Sequence, residues 1–169
     1  MTWCLVGSEM CIRDRSKKLG CKVLTVYAFS TENWTRPAKE VEFLINLFEK
    51  VLKKEIDEIH HESIKIKFIG DLSPFPGSLK SVLSSSENLT KNNGDFLLNV
   101  CVNYGGRQEI VKVAKKLAQK SISGEINPNE INEDLFNSEL LTERIKDPEL
   151  LIRTSGEKRI SNFLLWQLA

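Results

Sequence analysis

The sequence predicts an α/β protein, a mainly parallel sheet flanked by helices. Two near-continuous apolar runs of strand length, Val23–Phe29 and Phe96–Val102, have the pattern of strands covered on both faces. Between and after them, apolar residues return every three or four positions, as on one face of a helix. The two kinds of segment alternate along the chain, which is the order that parallel strands joined by crossover helices require.

Ser16–Leu19 followed by Gly20 reads as the last turn of a helix with glycine just past its end, feeding the first strand. Pro37 suits the first helical position. After it Val41, Leu44, Ile45, Phe48, Val51, Leu52, Ile56 and Ile59 line one face of a long helix. Ile64–Gly70 alternates apolar and basic residues, so it is a strand more exposed on one side. Asp71–Pro76 is a turn-rich loop with two prolines. Leu79, Val82, Leu83 and Leu89 outline a second helix that ends near Asn92-Asn93-Gly94. Beyond Phe96–Val102, Gly105-Gly106 turns the chain into a third helix with Ile110, Val111, Val113, Ala114 and Leu117 facing inward. Asn127-Pro128 opens a shorter helical piece through Leu135 and Phe136. Leu150-Leu151-Ile152 is a short strand, and a final apolar helix begins near Ser161.

The 169 residues suffice for one domain with its own core, and 41% apolar with 28% charged residues is ordinary for a soluble protein. A formal net charge of +1 gives no global field for nucleic acid, so any basic function is local. No apolar run reaches the length of a membrane span. Cys4, Cys11, Cys21 and Cys101 form no CxxC pair, which argues against a zinc site and fits a reducing cytosol. His60-His61-Glu62 offers metal-ligand types, but adjacent residues at a helix end point different ways.

Both ends read as breaks in a longer gene. Residues 1–15, MTWCLVGSEMCIRDR, have neither helical nor strand period, and Gly7-Ser8-Glu9 interrupts any signal-peptide core. Met10–Arg15 back-translates to a sequence similar to a transposon-end adapter used in preparing DNA for sequencing, so residues 1–15 are expected to be non-native and 16–169 a partial domain. A native tail is the other reading. At the far end, Ser161–Ala169 has the apolar density of a buried helix yet stops without a capping residue.

In parallel α/β sheets, ligands bind beyond the carboxyl ends of the strands. The segments there are Ser30–Arg36, Asn103–Arg107 and Arg153–Ser161. Each carries arginine with glycine or hydroxyl residues and leads toward a predicted helix, a setting that favours an oxyanion or phosphate. The three are expected to converge at one sheet edge. Arg153, Lys158, Arg159 and Ser161 form the densest cluster, where paired guanidinium hydrogen bonds suit a diphosphate and a solvated basic loop is the alternative. Neither GxxxxGK[ST] nor GxGxxG occurs, and no DDxxD run is present. Glu32, Asn33, Asp71 and Glu157 are candidate proton handlers, each equally suited to a cap or turn.

Tyr27–Pro37, YAFSTENWTRP, resembles the YAFSxENWxRP signature of the cis-prenyltransferases, the undecaprenyl diphosphate synthase family. Ile69-Gly70-Asp71, Asn103–Arg107, Ile152–Thr154 and Arg159–Gln167 also resemble that family's motifs, in order, across residues 16–169. The resemblance implies an undecaprenyl diphosphate synthase-like fold and condensation of isopentenyl diphosphate onto an allylic diphosphate, typically farnesyl diphosphate, with Z double bonds and Mg²⁺. By position, Arg36, Arg153, Arg159 and Ser161 would bind isopentenyl diphosphate, with Ile160 beside them. Phe29, Ser30, Thr31 and Glu32 would form the substrate loop, Asn33 would assist proton removal, and Trp34 would line the apolar end of the site.

The helix after Pro37 would help to wall a product tunnel. The family's Asp-Gly-Asn-Gly-Arg-Trp loop and Tyr-x-Glu-Leu run, which carry its metal carboxylates, are not in this sequence, so no metal ligand is assigned and the 169 residues alone are expected to be inactive. Ser155 and Lys158 stand where other members often carry glycine and histidine. The resemblance further implies a homodimer in the cytoplasm, peripheral to the inner membrane surface through its long product, making a cell-wall lipid carrier. The alternatives are a non-catalytic accessory subunit and an isoprenoid-diphosphate-binding module.

Overall fold

Among the residues that the computed structural model describes (12–94, 96–153, 156 and 158–169), strands and helices alternate as the sequence predicts. They fall into two units, one ending at Asn103 and the other starting at Tyr104. Residues 1–11 of the expected non-native segment lie outside the described residues.

In the first unit, residues 12–18 form helix α1. Gly20, at φ +83°, ends it in a left-handed cap: its N–H returns to the Lys17 carbonyl at 3.0 Å and the Cys21 N–H to that of Ser16 at 3.1 Å. Then follow β1 (Val23–Ser30), α2 (Ala38–His61), β2 (Ile64–Ile69), α3 (Gly77–Thr90) and β3 (Phe96–Tyr104). Pro37 sits one residue before α2, as its N-cap. α1 is fastened to the end of α2, where Arg13, 3% exposed, meets Asp14 at 2.9 Å, Glu58 at 3.2 Å and Glu62 at 3.6 Å. Burying one cation among three carboxylates offsets much of its desolvation.

The sheet order is β1-β3-β2, with β2 parallel to β3 in a register running from Ile64↔Phe96 to Ile69↔Cys101. β3 is central and buried at every residue but Leu97. Leu98, Val100 and Val102 of β3 join Ile64, Ile66 and Phe68 of β2 in one core with Val41, Ile45, Leu52 and Ile59 of α2 and Leu79 and Leu83 of α3. Each such side chain contributes about 1.5–3 kcal/mol. β2 is an edge strand whose open hydrogen bonds α3 and the turn after it cover: Ile66 N–H donates to Thr90 Oγ1 at 3.2 Å, Phe68 N–H to Glu87 Oε1 at 2.8 Å, and Asn93 Nδ2 to the Ile64 carbonyl at 2.7 Å. β1, apolar on both faces, is expected to be covered on both. Instead only Phe29 is buried and the other seven residues are half-buried, because β1 lies at the opposite end of the sheet.

The second unit contains α4 (Gly106–Ile122) and α5 (Glu133–Ser138). The buried face of α4 is Gly106, Glu109, Val113 and Leu117. Val111 and Ala114, expected inside, are exposed, because the buried residues recur at three and four and these two fall off that stripe. Glu109 is buried usefully: its Oε2 accepts from Tyr104 Oη at 2.5 Å and Gln167 Nε2 at 3.1 Å, and its Oε1 from Leu141 N–H at 2.9 Å. The helical piece expected from Asn127 is split into a 3₁₀ turn, Pro128–Glu130, and α5. Asn127 and Asn132 each cap a separate start, and a cap's extended backbone interrupts a helix.

Two expected elements do not form among the described residues. Leu150-Leu151-Ile152 is exposed and no strand pairs with it among the described residues, so its apolar run finds no ladder. Ser161–Leu168 is a series of turns rather than a helix, because Ser161, Asn162 and Leu164 take φ of +51°, +62° and +42°. Left-handed residues cannot continue a right-handed helix.

Candidate functional site

In the first unit β1 delivers the chain at Ser30 into a 3₁₀ turn, Thr31–Thr35. Asn33 shapes it: its Oδ1 accepts from the Ser30 N–H at 2.7 Å and the Ser30 Oγ at 3.1 Å. Thr35 Oγ1 donates to the Glu32 carbonyl at 2.8 Å and Thr31 Oγ1 to the Glu32 carboxylate at 3.3 Å. So Ser30, Thr31, Glu32 and Asn33 form one hydrogen-bonded turn, with Asn33 in the scaffold and only its Nδ2 uncommitted to Ser30. Arg36 follows at the foot of α2, half-open to solvent, with Glu40 at 3.6 Å. An exposed pair at that distance holds the guanidinium weakly.

Trp34 is not lost in the polar loop. Its ring lies 5.3 Å from that of Phe29 and 5.5 Å from that of Phe75, which are themselves 5.6 Å apart. The indole Nε1–H donates to Asn103 Oδ1 at 2.8 Å. Asn103 in turn donates from Nδ2 to the Asp71 carbonyl at 2.7 Å, and its own carbonyl accepts from the Asp71 N–H at 3.2 Å. Asn103 is 7% exposed with φ +48°, a region Asn enters more readily than most residues.

Phe75 was not legible as a site residue, and Asn103, expected in the segment after the strand, was not legible as the partner of Trp34. Phe75 lies in a proline loop, and Asn103 belongs to the end of β3 rather than to the loop after it. Asp71, a candidate proton handler, accepts from the Ser73 N–H at 3.0 Å and so holds a turn. Burial, chiefly, and then the Glu32 carboxylate push the Tyr27 phenol well above its usual range, against a Ser30 hydrogen bond that lowers it, so it stays protonated beside the turn. An open cleft of 430 Å³ runs along Trp34, Arg36, Val41, Ile45, Asn46 and Pro76. Its lining is apolar apart from Asn46, the Glu42 carboxylate and the Arg36 guanidinium, and the guanidinium is the group there that suits the charged head of an amphipathic anion.

In the second unit the Arg153 guanidinium donates from Nη1 to Ser161 Oγ at 2.8 Å and to the Arg159 carbonyl. Arg153, Arg159, Ile160 and Ser161 are all exposed. Because Ser161 Oγ accepts from Arg153, its own proton is left to donate beside the remaining guanidinium N–H groups. Thr154, Ser155 and Glu157 lie outside the described residues. The helix start after Asn103–Arg107, expected to offer N–H groups to an anion, is already capped. Gly106 N–H donates to the Asn162 carbonyl at 2.7 Å and Arg107 N–H to Asn162 Oδ1 at 2.8 Å.

A family model described as "Putative undecaprenyl diphosphate synthase" matches residues 9–169. An isoprenyl transferase of Prochlorococcus marinus is 77% identical over 154 residues, which are 91% of this chain and 57% of that protein. A Legionella pneumophila protein named as a ditrans,polycis-undecaprenyl-diphosphate synthase specific for (2E,6E)-farnesyl diphosphate is 49% identical over 90% of this chain and 63% of its own length. The chain thus spans somewhat more than half the length of the curated relatives it matches. Among solved structures, lavandulyl diphosphate synthase from Lavandula x intermedia, in complex with dimethylallyl diphosphate, superposes with a TM-score of 0.91 at 38% identity over 96% of this chain and 70% of that one. A probable undecaprenyl diphosphate synthase of Campylobacter jejuni gives 0.84 at 29% identity over 97% and 74%.

Proposed function

The chain belongs to the undecaprenyl diphosphate synthase family of prenyltransferases, and from that premise we propose that it carries the isopentenyl-binding half of a cis-prenyl elongating enzyme. The observation that supports this best is the Arg153–Ser161 pair, which gathers guanidinium and hydroxyl donors on one exposed loop. Diphosphate oxygens accept from such a fork in pairs. Arg159 and, from the first unit, Arg36 are assigned to the same ligand class. Phe29 and Trp34 are assigned to the apolar end of the substrate site, where isoprenoid hydrocarbon lies, and Ile160 to the apolar rim of the Arg153 loop.

The reaction forms a carbon–carbon bond between the isopentenyl unit and C1 of the allylic diphosphate. The allylic C–O bond breaks, inorganic diphosphate departs, and a proton leaves the isopentenyl carbon chain. The residues must hold the departing charge, keep water from the allylic cation and steer the proton. An amide is too weak a base to take that proton by itself. Asn33 is therefore assigned to assist by fixing the Ser30 hydroxyl and presenting Nδ2, with Thr31 and Glu32 in the same turn.

Farnesyl diphosphate is proposed as the allylic partner, as named for the Legionella relative. Mg²⁺, a homodimer and a polyprenyl product held at the inner membrane surface complete the reading. Among the described residues no group of three or more His, Cys, Asp or Glu could hold a metal ion, so no step is assigned to one here. No helix among them is long and apolar enough to cross a membrane.

The test is Arg153→Ala in the full-length protein, assayed by incorporation of labelled isopentenyl diphosphate. Losing a charge-assisted contact of about 1.5–3 kcal/mol raises the isopentenyl KM roughly ten- to a hundredfold. An unchanged KM removes Arg153 from the site and with it the main support for this reading.

A further inference from the structure

We propose that Asn103 is the positioning residue for Trp34, setting the angle of the apolar wall against which the hydrocarbon part of an isoprenoid diphosphate lies; the ligand, though not the contact, rests on the function proposed above. Trp34 is 37% exposed, so part of its ring is free to meet a ligand. Aromatic neighbours alone do not fix such a ring, because edge and tilted contacts tolerate a broad range of angles. The bond from Nε1 to Asn103 Oδ1, 2.8 Å long and 69 residues distant in sequence, is the directional restraint.

Asn103 is suited to the task because each of its polar side-chain atoms has one purpose. Oδ1 takes the indole and Nδ2 takes the Asp71 carbonyl at 2.7 Å, so the amide cannot flip without breaking both. The backbone is fixed as firmly. At Gly70 a Cβ would stand 1.9 Å from the Val102 carbonyl oxygen, so only glycine lets the end of β2 approach β3 closely enough for Asp71 to meet Asn103. Gly70, Asp71 and Asn103 thus form a bracket between two strand ends, and the indole hangs from it.

The experiment uses Asn103→Gly, which accepts the left-handed backbone but has no side-chain amide, together with Trp34→Phe and the double variant. The Trp34 indole N–H signal in a ¹H–¹⁵N spectrum is assigned by its loss in Trp34→Phe. Binding of farnesyl diphosphate and of inorganic diphosphate is measured by calorimetry on the same samples. In Asn103→Gly the indole N–H exchanges about fivefold faster or more, farnesyl diphosphate binds about five- to tenfold more weakly, and inorganic diphosphate binds as before.

A variant that has merely loosened would weaken both ligands alike, and that result overturns the proposal. So does an indole signal and exchange rate unchanged from the parent. In the Trp34→Phe background, Asn103→Gly should cost farnesyl diphosphate no further affinity; additive losses show Asn103 acting by another route and refute it as well. Should the parent bind neither ligand, the functional reading fails, and the indole exchange rate alone decides the Asn103 contact.

Discussion

Gly70→Ala tests the bracket beneath the site by its stability. At φ +134° an L residue is strained by about 1–3 kcal/mol. The added methyl would sit 1.9 Å from the Val102 carbonyl oxygen, 2.9 Å from its carbon and 3.1 Å from the Asn103 carbonyl carbon. These are main-chain atoms of the central strand, so relief requires β2 and β3 to part rather than a side chain to turn. Overpacking of this kind costs another ~1–3 kcal/mol, which puts the total near 4 kcal/mol. With about 2.1 cal/mol/K of unfolding entropy per residue, the 169 residues give roughly 0.35 kcal/mol/K, and the melting temperature falls by roughly 11 °C.

Thermal unfolding followed by circular dichroism reads this directly. Gly77→Ala supplies the control, because nothing lies within 4 Å of a Cβ there and the residue opens α3. That change should be neutral or stabilising by about 0.4–1 kcal/mol. If Gly70→Ala melts within about 3 °C of the parent, the close approach of β2 to β3 is not as rigid as argued, and the Asp71–Asn103 clamp loses its basis.

Two further outcomes concern the second unit. Glu139, bridged first by Lys116 and then by Lys120, has its carboxyl held below the usual range. A depressed carboxyl stabilises fully above the unfolded value, about 4.3, and that share is lost as pH falls through the lower folded value. Glu139→Gln should therefore flatten the acid side of the urea-midpoint profile and leave its shape near neutrality unchanged; an equally steep acid limb counts against the bridge. Asn162→Ala removes the Oδ1 acceptor for Arg107 N–H and places alanine at φ +62°, at a combined cost of about 2–3 kcal/mol. Asn162→Gly keeps the backbone and loses the same two side-chain bonds as alanine, the cap to Arg107 N–H and the Nδ2 bond to Gln108 Oε1 at 3.0 Å, so near-equal urea midpoints for the two variants would refute the strain.

The sequence made legible those elements whose period reflects a single environment. α2 shows its buried face through Val41, Ile45, Leu52 and Ile59 because one side of it meets the core along its whole length. β2 alternates because one of its faces is apolar and packed while Lys65 is exposed on the other. What failed were apolar runs read without partners. Leu150-Leu151-Ile152 looks like a strand, but a strand exists only where a neighbour supplies the ladder, and none of the described residues does. The density of Phe163-Leu164-Leu165-Trp166 suggests a helix. Yet Trp166 is drawn onto Phe136, rings stacked 4.1 Å apart, and its indole onto Asn137 Oδ1 at 2.6 Å, so tertiary contacts bend the segment into turns.

The site divides along the same line. The hydroxyls and amide of Ser30–Asn33 were readable because their partners lie within three residues, the range of a cap or turn. The placement of Trp34 was not. Its acceptor is 69 residues away, at the end of a strand whose apolar run gives no hint that Asn103 continues it in a left-handed conformation. An indole in a polar loop is anomalous only while the loop is viewed alone. Once β1, β3 and the Phe75 loop are brought together, the same residue is the member of an aromatic triangle that must also satisfy an N–H. A buried amide such as Asn103 is what that N–H requires. Phenylalanine at position 34 would keep the packing and lose the orientation. Choosing tryptophan there makes sense only if the angle of the ring matters, and an angle matters most to whatever lies against its exposed part.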